Sequence, residues 1–205
     1  RVFSLGLTTS SQTSLELTQY RAVEHPDGTN PDDLVRLAAD LIQMNLSAWV
    51  TDGDGDRPLI ADENGEWLRG DIVGLLCARQ LGIRALAVPV SCNTAIEKCG
   101  AFDEVARTRI GSPYIIAALE ALAPNHASIA GFEANGGFLL GSDVQLNGKP
   151  LKALPTRDAL LPGIALIAAA ADLKLSAQVA ALPARFTASD RIQNIATNTS
   201  KAFIA

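Results

Sequence analysis

The stretch Asp71–Val90, DIVGLLCARQLGIRALAVPV, decides the fold class. Apolar spacing predicts a helix from about 71 to 81, and a short apolar run predicts a strand over 85–90. The alternation then continues downstream. A helix is expected over 93–99, a strand over 104–108, a helix over 113–122 and a strand over 128–132. Helix and strand in turn imply crossover units, so the chain reads as α/β, with mixed, mostly parallel sheets and flanking helices. Further on, Asn147-Gly148 predicts a hairpin, 157–171 a long helix, and a shorter helix capped by Ser176 ends before Pro183. The tail, 184–205, reads as a linker.

Upstream of the deciding stretch, Ala48-Trp49-Val50 is a short strand, and Asn64-Gly65 is a two-residue hairpin signal between 58–62 and 66–69. Asn30 starts an earlier helix as its N-cap, with Pro31 at the first helical position and acids in the first turn. Thr8 to Ser14 is a Ser/Thr-rich loop.

The composition narrows the function classes. With 205 residues, 48% apolar and 19% charged, the chain has the balance of a soluble globular protein. The net charge is −5 and no basic tract occurs, which argues against a nucleic-acid partner. The longest apolar run, 159–171, contains Pro162 and Gly163 and stops at Asp172, so it predicts a buried helix and no membrane span. Cys77, Cys92 and Cys99 match neither a zinc site nor a redox pair, and the expectation is a reduced, cytoplasmic protein.

Chemistry concentrates in two loops. The first is Asp52-Gly53-Asp54-Gly55-Asp56-Arg57, directly after a strand. Three carboxylates this close repel one another, and a divalent cation removes the repulsion. The glycines let the backbone curl so that alternate side chains converge. Oxygen donors without His or Cys favour Mg²⁺ on Asp52, Asp54 and Asp56. Three other readings stay open on the residues alone. One is a solvated acidic turn without metal. Another is an EF-hand calcium loop, with Glu63 at its twelfth position but Arg57 where the sixth needs Gly. The last is the Asp-x-Asp of a glycosyltransferase. Arg57 can simply brace the acidic loop.

The second loop is Gly131-Phe132-Glu133-Ala134-Asn135-Gly136-Gly137-Phe138. Glu133 and Asn135 lie two apart in a glycine-rich turn, where a carboxylate and an amide can grip neighbouring sugar hydroxyls. A plain hairpin turn is the alternative. Arg109 and Ser112 sit at a strand-to-helix junction, where backbone N–H groups favour anions; helix capping by Ser112 is the competing role. Ser91 and Asn93 have a similar choice.

Taken together, these loops resemble the α-D-phosphohexomutases. Thr51 to Arg57 is similar to that family's metal loop, in which three aspartates hold Mg²⁺ against a phosphoserine. Glu133 falls on the glutamate of the sugar-reading loop, usually Gly-Glu-x-Ser-Gly-His, with Asn135 at the Ser and Gly137 at the His. Val90 to Cys99, Thr108 to Tyr114 and Arg157 to Pro162 look like the family's phosphomannomutase branch, and the resemblance covers about 45–200. It implies that 1–68 is part of the family's second domain and carries the metal loop. By the same reading, 69–183 is the third domain with the sugar loop, and 184–205 leads toward a fourth. It implies a hexose phosphate substrate, phosphoryl transfer between O6 and O1 through a bisphosphate, and partner domains of the same protein on either side. Arg57 would be catalytic; Glu133, Asn135, Arg109 and Ser112 would bind substrate. No serine here sits in a setting resembling the family's phosphoserine loop. Glucose or glucosamine phosphate mutases, and a non-catalytic metal- or sugar-binding module, remain alternatives.

Overall fold

A hairpin opens the described part of the chain. In the computed structural model, which describes residues 46–52, 55–146, 148–188 and 195–204, β1 (Leu46–Thr51) pairs antiparallel with β2 (Pro58–Asp62). The described residues of the acidic segment, 52 and 55–57, lie between these two strands. The helix expected from Asn30 and the Ser/Thr-rich loop before it lie outside the described residues. After β2, the turn at Asn64-Gly65 forms as expected. Gly65 takes φ 84°, and Asp62 Oδ1 accepts N–H bonds from Asn64 (2.8 Å) and Glu66 (3.1 Å). The returning limb is brief, a single bridge between Ala61 and Trp67.

Next come α1 (Gly70–Gln80), β3 (Ala85–Pro89), α2 (Ala95–Lys98), β4 (Glu104–Thr108), α3 (Ser112–Leu122) and β5 (Ile129–Phe132). They are followed by β6 (Phe138–Leu140), the small hairpin β7 (Val144–Leu146) and β8 (Lys149–Leu151), and β9 (Leu154–Asp158). The chain closes with α4 (Leu160–Ala170), α5 (Leu175–Ala180) and α6 (Thr197–Ile204). The central sheet has the order β4-β3-β5-β6-β9. β3 is parallel to β4 and β5, whereas β6 is antiparallel to both β5 and β9. Only β6 therefore runs against the other four strands.

Residue alternation builds the two faces. Leu86, Val88, Ala130, Phe132, Phe138 and Leu140 enter the larger core with α1 and α4. Ala85, Ala87, Ile129 and Leu139 point the other way, onto Ile115, Leu119 and Leu122 of α3. The result is helix, sheet, helix. Each fully buried Leu, Ile or Phe contributes about 1.5–3 kcal/mol, so a one-residue slip in β3 or β5 would turn this core outward.

Three local readings change. The helix expected over 157–171 begins only at Leu160, because residues 154–158 pair with β6 and form a strand. Asp158 ends that strand and accepts N–H bonds from Leu160 (2.7 Å) and Leu161 (3.2 Å) on Oδ1, satisfying the first turn of α4. Ser176 lies inside α5 and does not cap it. Its N–H (3.3 Å) and its hydroxyl both donate to the carboxylate of Glu63, an anion at a helix N-terminus. The tail expected as a linker contains α6.

The β1–β2 hairpin is seated on α4 through a close approach. A Cβ at Gly163 would stand 2.2 Å from the Trp49 ring, so only glycine leaves room for the indole. Gly163→Ala gains about 1 kcal/mol of helix propensity but drives a methyl into Trp49, and overpacking costs about 1–3 kcal/mol. The variant is expected to be less stable to denaturant, with Trp emission shifted to the red as the hairpin lifts. Unchanged stability and emission would show that Trp49 does not seat on Gly163.

Candidate functional site

Strand direction collects the loops. β3, β4, β5 and β9 all run the same way, so the segments after Pro89, Thr108, Phe132 and Asp158 emerge at one edge of the sheet. From β3 the chain passes to β4 on one side, then crosses back to β5 on the other. Ligands in open α/β sheets favour the crevice beyond the carboxyl ends at such a reversal.

The glutamate loop is built by a cross-strand pair. Phe132 and Phe138 face each other across β5 and β6, their rings stacked with centroids 6.1 Å apart, and they close the turn between them. Within it, Glu133 N–H donates to the Gly137 carbonyl and Gly136 N–H to the Glu133 carbonyl, both at 3.0 Å. Asn135 Oδ1 accepts the Gly137 N–H at 3.1 Å, which turns the amide oxygen toward its own loop and leaves the NH₂ side for a ligand. Beneath the loop lies Gly70 of α1, where a Cβ would come within 2.2 Å of the Gly136 nitrogen. Glu133 is buried, and its Oε2 has no hydrogen-bond partner.

The acidic loop faces this turn. Asp52 Oδ1 accepts the N–H groups of Asp56 and Arg57, each at 3.2 Å, and so folds the loop onto itself. Arg57 Nε lies 3.5 Å from Asp52 Oδ2 and 3.6 Å from Asp56 Oδ1, which is the bracing arrangement. Asp54 lies outside the described residues. Asp56 Oδ1 is buried without a hydrogen bond, an orphaned anionic oxygen of the kind that a hard cation satisfies. Among the described residues no three His, Cys, Asp or Glu groups stand close enough together to form a complete cation site. The EF-hand reading loses its twelfth ligand, because Glu63 is bound to Ser176 at α5.

Arg157 was not among the sequence candidates, yet it joins the two loops. Its Nη2 is 2.6 Å from Asp56 Oδ2 and its Nη1 is 3.7 Å from Glu133 Oε2. The signal was missed because 157 read as helix, whereas a strand aims this side chain at the carboxyl edge.

The remaining candidates share that edge without touching these carboxylates. Arg109 is exposed, with its guanidinium 5.8 Å from the centre of the Tyr114 ring. Ser112 opens α3 behind Gly111 but makes no side-chain cap bond. Asn93 stands just ahead of α2, its Oδ1 accepting the Ala95 N–H at 2.7 Å. Its own N–H donates at 2.7 Å to Asp71, a fully buried carboxylate that Arg69 pairs at 3.2 Å. An open cleft of about 400 Å³ lies beside Arg69 and Asn93, walled by Leu182 to Thr187. It includes neither carboxylate loop, so convergent charged groups mark the site better than concavity does. Burial raises the Cys92 thiol to about 12 and Cys77 well above its ordinary value, which leaves both inert as nucleophiles.

Comparison with known proteins gives two family matches. Residues 69–186 match the model described as phosphoglucomutase/phosphomannomutase, alpha/beta/alpha domain III. Residues 1–59 match a domain of unknown function (DUF5801), a range that includes the acidic loop. A phosphomannomutase from Salmonella muenchen is 60% identical over 154 residues, covering 75% of this chain and 32% of that protein. A phosphomannomutase from Sinorhizobium fredii is 43% identical over 188 residues, covering 85% of this chain and 39% of its own length. The chain thus spans about a third of the length of the curated relatives it matches. Coverage of 85% is long enough to include the acidic loop as well as the glutamate loop. Among solved structures, a phosphoglucomutase/phosphomannomutase family protein from Burkholderia thailandensis superposes with a TM-score of 0.51 at 21% identity, over 78% of this chain and 34% of that one. This last likeness establishes the fold alone.

Arg107 of β4 holds the β3–α2 loop at the site's edge. Its Nη1 donates to the carbonyls of Pro89 and Cys92, each at 2.9 Å, and its Nε and Nη2 reach Glu97 at 2.6 and 2.8 Å. Partial burial raises the Glu97 pKa, but the Arg107 hydrogen bonds outweigh it and hold it below the ordinary 4.5. A depressed carboxylate pKa contributes stability above its unfolded value and loses it as pH falls through the folded one. Glu97→Gln is therefore expected to lose about 0.5–1 kcal/mol at pH 7, discounted for solvent screening, and to flatten the decline in stability below pH 4.5. Urea melts across that range check this, and an unaltered acid limb would remove Glu97 from it.

Proposed function

The chain belongs to the phosphoglucomutase/phosphomannomutase family, and from that premise we propose that it supplies the metal loop and the sugar-reading loop of a phosphomannomutase. The reaction moves a phosphoryl group between O6 and O1 of mannose phosphate through a bisphosphate intermediate. What carries the reading is the approach of Asp56 and Glu133 to one guanidinium at the carboxyl edge of the sheet.

Asp52 and Asp56, with Asp54, would hold Mg²⁺, and the unpartnered Oδ1 of Asp56 fits that role. When bound, the ion supplies charge neutralisation to phosphoryl oxygens. Phosphoryl transfer depends on positioning and electrostatics more than on covalent help from protein groups. Here Arg57 keeps the acidic loop folded and stands beside the carboxylates where a phosphoryl group would approach. Glu133 accepts hydrogen bonds from two neighbouring sugar hydroxyls, and the Asn135 amide donates to them. A carboxylate grips a hydroxyl pair from either side of the ring, which suits a bisphosphate that must present O1 and O6 in turn. Arg109 and Ser112, at the start of α3, offer a cationic group and a hydroxyl to a phosphate at the same edge.

In this reading residues up to 68 belong to the family's second domain and 69–183 to its third. The phosphoryl donor and the clamp for the far phosphate come from outside residues 1–205. Three free cysteines are consistent with a reducing cytoplasm.

Calorimetry and a coupled assay on the chain test the proposal. Weak Mg²⁺ binding, lost in Asp56→Asn, is expected, with no turnover of mannose 1-phosphate by the chain alone. Strong preference for Ca²⁺ would assign the acidic loop to a calcium module. Measurable turnover would place the donor within these residues. Either result overturns the proposal.

A further inference from the structure

Asp56 and Glu133 lie 77 positions apart in the chain and belong to different sheets. Their side chains are only 16% and 10% exposed. Two carboxylates so removed from water and so near one another need a shared cation. Arg157 is placed to be that cation. Its strand pairs with β6, so its backbone is fixed by the same sheet that carries the glutamate loop. The guanidinium presents one nitrogen to each carboxylate, an arrangement that its planar fork allows and an ammonium does not.

The glutamate loop is also shaped around the arginine stem. A Cβ at Gly137 would stand 3.1 Å from Arg157 Cδ and 3.2 Å from Cγ. A methyl at 137 would press on the stem, which would have to give by a few tenths of an ångström, against the contact to Asp56. The glycine at 137 and the arginine at 157 thus form one device.

We propose that Arg157 is a positioning residue that ties the acidic loop to the glutamate loop and fixes the separation between the two halves of the site. The proposal rests on the reading that both loops serve one site, but it concerns the apo protein and needs neither metal nor sugar. A hydroxyl group donating to Glu133 draws that carboxylate's charge away from Arg157 and tightens the arginine on Asp56. Occupancy of one loop is in this way felt at the other.

Hydrogen exchange followed by mass spectrometry on the whole chain tests this, because both loops contain bonded amides that report their opening. In Arg157→Gln, exchange is expected to rise about tenfold in residues 52–61 and in residues 132–138 together, with α1 unchanged. Arg157→Lys restores one positive charge but not the fork, so protection returns in one of the two segments only. Gly137→Ala presses on the arginine stem without removing charge, and a smaller rise in the same two segments is expected from it, which keeps the test available if the glutamine variant does not fold. A rise confined to one segment in Arg157→Gln, full rescue of both by lysine, or a uniform rise that includes α1 would overturn the proposal. The measurement is made without ligand, so silence toward Mg²⁺ would sink the mutase reading and leave this one standing.

Discussion

An excess of buried negative charge at the carboxyl edge of the sheet governs this structure. Asp56 and Glu133 are both drawn out of water, and among the described residues Arg157 is the one cation that reaches both. Arg57 adds a second positive group, but it is more exposed and farther away, at 3.5–3.6 Å from the acidic-loop carboxylates. Desolvating a carboxylate costs several kcal/mol unless hydrogen bonds and opposite charge offset it. The oxygens left without hydrogen bonds, Asp56 Oδ1 and Glu133 Oε2, mark where that offset is incomplete. Such a deficit suits a site that completes itself on binding, with a cation on the acidic side and hydroxyl donors on the other.

Most of the scaffold that holds this charge was readable in the sequence. β3 and β5 are short apolar runs bounded by turns, and helices α1 and α3 show apolar spacing between them; such local patterns survive into the fold. The hairpin turn at Asn64-Gly65 formed for the same reason, since the turn residues themselves fix the backbone. β9 was not readable. Leu154 to Asp158 lacks β-branched density, and it becomes a strand only because β6 offers a free edge, a non-local pairing that no window of sequence contains. Reading 157 as helix conceals where the Arg157 side chain is aimed, although Arg157 to Pro162 is one of the stretches that carry the family resemblance.

The candidate site divides in the same way. Charged residues in glycine-rich turns make Asp52, Asp56 and Glu133 candidates from sequence, because such turns can bring polar side chains together. The behaviour of individual atoms was not accessible. Asn135 uses its oxygen to brace its own turn, Ser112 leaves α3 uncapped, and Glu63 caps α5 across the molecule. Each outcome depends on which N–H group happens to be unpaired within hydrogen-bonding reach, and that is decided by tertiary packing.

The two family matches meet between residues 59 and 69, so the acidic loop and the glutamate loop fall in different matched ranges. The contacts that seat the β1–β2 hairpin bear on whether this boundary is physical. Trp49 fills the space over Gly163, Glu63 binds Ser176, and Asp56 pairs with Arg157. All three partners lie between 157 and 176, at the far end of the second range. One contact is steric, one is a helix-terminal hydrogen bond and one is an ion pair, so no single change of pH or salt releases all of them. A hairpin held in three independent ways by β9, α4 and α5 is part of the same packed body as the glutamate loop. The boundary between the matches is therefore not a boundary in the packing, and the two loops can act as one site.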